Sequence, residues 1–259
     1  MSRHDDIQAL EWIPRVLHPE RDRYETELKP EFPAFQFTER QEQGRMVKAE
    51  ERQEYFPVYY VEPFTGNEAA LGFDLASNDS RRETLEKSRD LGYPKATASI
   101  TLVQEKEAQK GFLAFLPIYK GSPNTQQQRR DQLIGFVLGV YRIGDIFLSS
   151  ALTPEPPDIE MKLFDETATP GSDLLYIRQA RTGLPIHDDV SYKKQLPEIW
   201  GRQWSISASP TLAYISTRRS SLPVVIFASG FLFAIAIAVY ISIISNRSAI
   251  IKKLVIEKT

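Results

Sequence analysis

The residue with the clearest chemical potential in this sequence is Asp74, a carboxylate that follows Leu71, Gly72 and Phe73 and precedes Leu75. Burying a carboxylate is unfavourable unless hydrogen-bond donors surround it. Inside an apolar chamber, such a group can accept N–H bonds from a ligand, and charge-assisted bonds are stronger there. The other interpretation is a helix cap or a turn residue. The sequence leaves both roles open.

The remaining polar residues form no recognisable active site. No G-x-S-x-G elbow, H-E-x-x-H motif, Walker loop or G-x-G-x-x-G fingerprint occurs, and no Ser-His-Asp arrangement can be assigned. His18 and His187 stand beside proline or aspartate in predicted loops, where solvated or capping side chains are the simpler interpretation. The neighbouring pair Asp188 and Asp189 predicts a solvated turn. We therefore expect no enzyme activity, no metal site and no cofactor in this chain.

Composition excludes further classes of protein. The chain has 259 residues, of which 42% are hydrophobic and 25% charged, so it is long and apolar enough to bury a sizeable core. Its 32 basic and 34 acidic side chains give a formal charge of -2, which argues against nucleic acid as a partner. The absence of cysteine removes disulfides, thiolate metal sites and a cysteine nucleophile.

An uncharged apolar segment, Leu222–Ile244, is long enough to cross a membrane as a helix. A buried core helix is the alternative, but core helices seldom stay uncharged on every face over such a length. The flanking basic residues are Arg218 and Arg219 before the segment and Arg247, Lys252, Lys253 and Lys258 after it. This excess places the C-terminal side in the cytoplasm and the long N-terminal part outside the cell or in the periplasm.

The two ends of the chain complete this membrane topology. Residues 1–20 contain no signal peptide or first anchor, so we expect an anchoring helix upstream and a receptor with one or two spans in the inner (plasma) membrane. A cytoplasmic tail-anchored protein is the alternative. Residues 245–259 are expected to begin a cytoplasmic coupling helix that leads to an output domain, or else to form a plain juxtamembrane tail.

The N-terminal segments have mixed patterns. The spacing of Ile7, Leu10, Ile13 and Leu17 predicts short helices broken by prolines. Strands are predicted around Phe35–Thr38 and Pro57–Val61.

A longer helix follows. Ser80 and Glu83 have the spacing of a capping box, and the helix they begin is expected to end at Gly92 after Leu91. Glu83 and Lys87 should form an ion pair along it.

Six β-rich runs predict two antiparallel sheets. The first three are Thr97–Val103, Gly111–Tyr119 and Leu133–Tyr141, and the next three are Ile159–Asp165, Leu174–Gln179 and Trp204–Ala208. A proline-rich break at residues 153–157 separates the two groups. The first group is almost continuously apolar, so helices or a ligand chamber should cover its inner face. The predicted fold class is α+β with two layers, followed by one transmembrane helix.

Four runs of this sequence resemble one known family. They are ALEWIPRV (Ala9–Val16), YFPVYYVEPFTGNEAALGFDLASND (Tyr55–Asp79), RRETLEKSRDLG (Arg81–Gly92) and GFLAFLPIY (Gly111–Tyr119). Together, over about Ile7 to Tyr214, the chain resembles the CHASE domain. This domain is the extracytoplasmic sensor of bacterial histidine kinases, bacterial diguanylate cyclases and plant cytokinin receptors.

The resemblance implies an architecture and a function. It implies two PAS-like antiparallel-sheet subdomains with packed helices, a membrane-distal ligand-binding one at residues 7–151 and a membrane-proximal one at residues 158–214. A transmembrane helix at residues 222–244 then precedes the coupling helix. The chain would act as a homodimer in signal transduction, with a small organic ligand and the membrane as its partners. The output domain, a histidine kinase or diguanylate cyclase, lies outside this chain.

The resemblance also implies a ligand site. In the cytokinin receptors, an aspartate at the position of Asp74 holds adenine N–H groups, and a backbone position on a later strand, here near Val103, completes the site. Gly111 and Tyr119 match as well, whereas Phe115 stands where the plant receptors have a threonine, and its larger ring narrows the chamber. An adenine-type or other small planar ligand is therefore expected.

We expect the walls of this chamber to come from apolar residues near Asp74, although each aromatic among them is also a natural core residue. The predicted wall residues are Phe64, Leu71, Phe73, Ala98, Phe112, Ala114, Phe115 and Leu116.

Two other functions stay open. One is a membrane-anchored module whose outer domain binds a protein partner and whose apolar interior is only core. A tethered hydrolase is weaker, because no pair of nucleophile and base can be named.

Overall fold

The computed structural model of the chain describes residues 7–41, 44–101, 110–149, 158–171, 173–181, 190–218 and 220–256. It contains two compact units, one that extends to Thr211 and one that begins at Leu212. The first unit holds both β-sheets, and the second is helical.

A six-stranded antiparallel sheet forms the centre of the first unit. The N-terminal part of the chain, up to Arg142, contains ten described strands, not all of which belong to this sheet. They are Ile7–Pro14 (β1), Val16–Leu17 (β2), Thr38–Arg40 (β3), Met46–Lys48 (β4), Glu54–Tyr55 (β5), Tyr60–Glu62 (β6), Lys95–Ala96 (β7), Ile100–Thr101 (β8), Lys110–Tyr119 (β9) and Leu133–Arg142 (β10). The strand order of the large sheet is β6-β1-β10-β9-β7, and β8 also pairs with β9. The small pairs β2–β5 and β3–β4 lie outside it.

Among the described residues, six α-helices and three short 3-10 helices accompany the strands. The α-helices are Arg21–Leu28 (α1), Asp79–Leu91 (α2), Gln126–Gln132 (α3), Ile143–Ser149 (α4), Leu212–Arg218 (α5) and Leu222–Ile256 (α6). The 3-10 helices are His18–Glu20, Glu68–Ala70 and Leu75–Ser77.

Of the short helices predicted for the first segment, the part after Pro19 is confirmed as α1, whereas the prediction is wrong for Ile7–Pro14, which is a strand between β6 and β10. Its buried side chains alternate, with Ala9, Glu11 and Ile13 inward and Leu10 exposed. The sheet therefore overrides a spacing of apolar residues that matches a helix only by coincidence. The predicted strands near Phe35 and Pro57 also begin later, as β3 and β6.

The apolar runs after residue 110 form the predicted hairpin of β9 and β10, with Phe115 opposite Leu138. Their inward side chains, including Leu113, Phe115 and Phe136, join the main hydrophobic core, and Leu85 of α2 packs against them. Successive side chains of a strand point to opposite faces. Phe112 consequently belongs to a second core, on the other face of β9.

The second sheet has four antiparallel strands. They are Ile159–Asp165 (β11), Leu174–Arg178 (β12), Tyr192–Gln195 (β13) and Trp204–Pro210 (β14), in the order β12-β11-β14-β13. Three of them occupy the predicted runs. The sequence pattern missed β13 because its four residues are all exposed, as is common on an edge strand protected by lysines. The α+β prediction of two PAS-like antiparallel sheets with packed helices is thus confirmed.

The N-cap of helix α2 lies two residues before the predicted cap. Asn78, not Ser80, is the N-cap, and its side-chain oxygen accepts a hydrogen bond from the backbone N–H of Arg81 at 3.2 Å. Asparagine competes well with serine for this position. The predicted end is confirmed, because Gly92 adopts the left-handed conformation at φ 79°. The Glu83–Lys87 ion pair is confirmed at 2.5 Å.

A glycine turn leads into the segment that carries Asp74. Gly72 has φ +81°, and a Cβ atom there would lie 2.5 Å from the backbone oxygen of Gln36. Its N–H donates to the oxygen of Val58, and its own oxygen accepts from the N–H of Thr38. Only glycine meets both the backbone conformation and the close approach of the Gln36 peptide.

The helical second unit contains the predicted membrane segment. Helix α6 is continuous over 35 residues, and its part Leu222–Ser248 has a mean hydropathy of 2.6 and no burial. Within the residues described, it is the one helix long and apolar enough to span a bilayer. The apolar stretch and the predicted coupling segment therefore belong to one helix as far as Ile256.

Replacing Gly72 with alanine tests the turn. We expect Gly72→Ala to lower the free energy of unfolding more than Gly66→Ala does, as measured by denaturant titration with tryptophan fluorescence on the full chain in detergent. Gly66 also has a positive φ, of +89°, but no atom lies within 4 Å of a Cβ there. Gly66→Ala should therefore cost only the backbone strain of about 1 to 2 kcal/mol. Equal costs for both variants would contradict the close approach at Gly72.

Candidate functional site

The Asp74 carboxylate lies in the interior of the first unit, and none of its surface is exposed. One oxygen, Oδ1, accepts hydrogen bonds from the backbone N–H of Phe56 at 2.9 Å and of Ala76 at 3.2 Å. The second bond makes Asp74 the cap of the 3-10 helix Leu75–Ser77. The interpretation of Asp74 as a cap therefore describes its contacts in this structure.

The other oxygen of Asp74 has a different environment. Oδ2 is buried and has no hydrogen-bond partner, and the closest described cation is Nη1 of Arg52 at 3.5 Å. Burial raises the pKa of Asp74, while the N–H groups of Phe56 and Ala76 and the charge of Arg52 oppose this shift. Oδ2 could accept one more donor, so the predicted role as a ligand anchor stays a prediction.

Four of the predicted wall residues line cavities in the described part of the chain, and they are divided among three of these cavities. The first, which we call the Arg81 cavity, has a volume of about 430 Å³. Its walls come from the end of β3 (Arg40), from Phe73, from the start of α2 (Ser77, Asn78 and Arg81) and from Ile100 of β8. Of the predicted wall residues, only Phe73 lines it.

Two other predicted wall residues line a second cavity of about 380 Å³. Phe64 and Leu71 form this cavity with Phe32 and Phe35. The rings of Phe32 and Phe64 have their centroids 5.2 Å apart. This aromatic cavity is separate from the Asp74 carboxylate, which is not one of its lining residues.

Ala98 lines a third cavity, of about 410 Å³, to which both halves of the first unit contribute. Ala96 of β7 lines it from the first half, and Trp200 and Arg202 line it from the second half. Ala98, Phe64 and Phe73 were predicted to line one chamber, but in the structure each of them lines a different cavity.

The four predicted wall residues of β9 lie on both faces of the sheet. Phe115 is fully buried on the inner face, whereas Leu116 is 43% exposed on the outer face. Ala114 and Phe112 share the outer side, where the ring of Phe112 stacks on Tyr141. The two faces of one strand cannot line one chamber, so this set combines residues that the structure separates. Val103 lies outside the described residues.

Sequence reasoning missed Arg81, the most unusual charged residue of the region. Its side chain is only 7% exposed, and its Nε atom is buried with no hydrogen-bond partner in the part of the chain described. The guanidinium carbon lies 5.0 Å from the ring centre of Phe73. Burial lowers the pKa of Arg81 to about 10, Arg40 acts in the same direction, and Glu11 opposes it.

A sequence signal for Arg81 existed. The buried residues of α2 are Arg81, Leu85 and Ser88, at the i, i+4 and i+7 spacing of a helix face that packs on a core. A charge on that stripe is rare unless it has a partner.

Replacing Asp74 with alanine tests its capping role. Asp74→Ala leaves the buried N–H groups of Phe56 and Ala76 without an acceptor, and each such loss costs about 1 to 3 kcal/mol of stability. Asp74→Asn keeps a side-chain oxygen and should cost less, by denaturant titration. Asp79→Ala, at an exposed position on the next helix, is the control and should change little. If Asp74→Ala has the same free energy of unfolding as Asp79→Ala, the capping contacts of Asp74 do not contribute to stability.

Comparison with known proteins now identifies the family. Residues 1–176 match the CHASE domain. The chain is 24% identical over 247 residues to hybrid signal transduction histidine kinase A of Dictyostelium discoideum, a match that covers 85% of this chain and 11% of that protein. The chain thus spans about a tenth of the length of that relative.

Two solved structures are similar to parts of the chain at 11% sequence identity. The ligand-binding domain of the Pseudomonas aeruginosa PAO1 amino acid chemoreceptor PctC, in complex with GABA, matches 79% of this chain and 74% of its own, with a TM-score of 0.37. The periplasmic sensory domain of the Campylobacter jejuni chemoreceptor Tlp1 matches 85% of this chain and 76% of its own, with a TM-score of 0.47. The family match covers more than half of the sequence, and the chain belongs to the CHASE domain family of sensor domains.

Proposed function

We propose that this chain senses a small organic molecule outside the cytoplasm and passes the signal across the membrane through α6. Its membership in the CHASE family makes it a sensing module. The observation that carries the finer proposal is the Arg81 cavity, because its volume of about 430 Å³ is within the range of small-molecule sites. Five of its seven lining residues are polar or charged and can bind polar groups of a ligand, and the other two, Phe73 and Ile100, are apolar.

The position of this cavity supports a role in signalling. Its walls come from four separate parts of the membrane-distal unit, namely β3, Phe73, the start of α2 and β8. A ligand that contacts all of them binds best to one arrangement of these elements. Such a difference in affinity between two arrangements is what a ligand needs to shift their populations.

Membrane attachment and output are further parts of the proposal. The apolar part of α6 supports one span, and the basic residues after it support a cytoplasmic C-terminal side. As the CHASE resemblance implies, we propose a homodimer with one or two spans for each protomer. The output domain of the whole receptor would be a histidine kinase, as in the Dictyostelium relative, or a diguanylate cyclase.

An adenine-type ligand at Asp74 is the more specific form of this proposal. The buried Oδ2 atom without a hydrogen bond supports it, since an N–H donor would satisfy that atom. The Asp74 side chain has no exposed surface, so a ligand could reach it only if the segment around Phe73 moved. Such a ligand would lose its affinity in Asp74→Asn, whereas a ligand of the Arg81 cavity would keep it.

A screen by thermal unfolding tests the sensing function. We expect at least one small metabolite to raise the melting temperature of the full chain in detergent. A ligand at about a hundred times its dissociation constant adds about 2.7 kcal/mol to stability. Heat-unfolded chain, which has no cavity, provides the control for non-specific binding. If no metabolite stabilises the chain and a protein partner does, the module binds proteins and the small-molecule proposal is wrong.

The proposed membrane orientation can be tested with introduced cysteines, because the chain has none of its own. Ser122→Cys lies in an exposed loop after β9, and Thr259→Cys follows α6. In intact cells, a membrane-impermeant maleimide should label Ser122→Cys, and it should label Thr259→Cys only after permeabilisation. The cysteine-free parent chain is the control. The opposite labelling pattern would show a cytoplasmic sensor domain and contradict the proposal.

A further inference from the structure

The Arg81 guanidinium is a buried charge whose environment does not satisfy it. Removing a charged group from water is costly unless hydrogen bonds or an opposite charge compensate. Within the described residues, the Nε atom has no acceptor and no carboxylate forms an ion pair with the group. The ring of Phe73, at 5.0 Å, offers a cation–π contact that compensates only part of this cost.

Two charged side chains, Glu11 and Arg40, influence Arg81. Glu11 lies near enough to favour the charged form of Arg81, and Arg40 lies near enough to disfavour it. Glu11 is buried in β1 and is not among the residues found to line the Arg81 cavity, whereas Arg40 is. Arg40 and Arg81 are thus the charged residues among those found to line the cavity, and both contribute positive potential to it.

The start of α2 adds to this positive potential. Ser77 and Asn78 line the cavity at the point where α2 begins, and α2 has 13 residues. The N-terminus of a helix carries a partial positive charge and attracts anions. Two arginines and a helix terminus thus converge on one cavity.

Besides these groups and the polar side chain of Gln41, the cavity has two apolar lining residues. The ring of Phe73 lies on one side, and Ile100 of β8 contributes another wall. A bare inorganic ion would leave these walls without contacts. A small molecule that carries both an anionic group and an apolar part matches the whole cavity.

We propose that the Arg81 cavity binds a small organic oxyanion, with its charged group at Arg81 and its apolar part against Phe73 and Ile100. The inference rests on the proposed sensing function and specifies the chemical class of the ligand. Arginine binds carboxylates and phosphates through two parallel hydrogen bonds, so the anionic group is a carboxylate or a phosphate. Binding would give the Arg81 guanidinium the acceptors that the described residues do not provide.

The test uses the full chain in detergent and compares two adjacent arginines. Arg81→Met removes the buried charge, and Arg82→Met removes an exposed charge that is paired with Asp79. The probes are phenylacetate, its neutral analogue phenylacetamide, and inorganic phosphate, each at millimolar concentration. We expect phenylacetate or phosphate to raise the melting temperature of the wild-type chain and of Arg82→Met. Arg81→Met should weaken binding by about tenfold to a hundredfold, as expected for a charged hydrogen bond.

The stability of the unliganded variants gives a second measurement. Replacing a buried charge without a partner by an apolar residue of similar length is neutral or stabilising. We therefore expect unliganded Arg81→Met to melt at the same temperature as the wild-type chain or higher. A structural role for Arg81 would lower the melting temperature instead, and that result would overturn the proposal.

Further outcomes separate this inference from the sensing function. Stabilisation by phenylacetate alone assigns a carboxylate ligand, and stabilisation by phosphate alone assigns a phosphate-bearing one. The inference is overturned if neither anion stabilises the wild-type chain, if phenylacetamide acts as well as phenylacetate, or if Arg81→Met responds like the wild type. A neutral metabolite that stabilises the wild type and Arg81→Met equally would refute the anionic ligand but support the sensor. If no small molecule binds at all, both proposals fail.

Discussion

The arrangement of the first unit around the Arg81 cavity depends on the contacts that hold the segment of Phe73 and Asp74. Asp74 receives two backbone N–H bonds on its carboxylate, and its own N–H donates to the oxygen of Thr38. Phe73 accepts from the N–H of Val58. These bonds join three stretches of chain that are distant in sequence and contain little regular structure. They fix the ring of Phe73 and the start of α2, and so they fix two walls of the Arg81 cavity.

The same region combines a buried charge that is partly compensated and one that the described residues compensate less. The carboxylate of Asp74 is compensated by backbone donors on one oxygen, whereas the guanidinium of Arg81 has mainly an aromatic ring beside it. Protein interiors seldom contain a charged group whose main neighbour is an aromatic ring, because such a charge lowers the stability of the fold. Residues that cost stability in the unliganded protein are common at functional sites. For this reason Arg81 is a better guide to the ligand than the apolar residues around it.

Sequence patterns predicted the sheets better than they predicted the site. Strands β9 to β12 and β14 are clear in the sequence because they are apolar, of ordinary strand length and bounded by turns or proline. Strand β1 was missed because its pairing with β6 and β10 is a long-range effect that local spacing cannot report. The predicted walls failed as a group because Phe115 and Leu116 were treated alike, although adjacent strand residues face opposite sides. Arg81 needed a helix-face analysis in which Leu85 and Ser88 define the buried stripe.

The length and continuity of α6 have a mechanical consequence. At about 1.5 Å per residue, its 35 residues form a rod of about 52 Å, well beyond the ~30 Å thickness of the hydrocarbon layer. No proline follows Pro223 within it, and the Ser229–Gly230 pair is the place in its apolar part where a helix of this composition bends most easily. A movement imposed at Leu222 would therefore reach Ile256 along one continuous helix, with that pair as the point at which bending could absorb part of it.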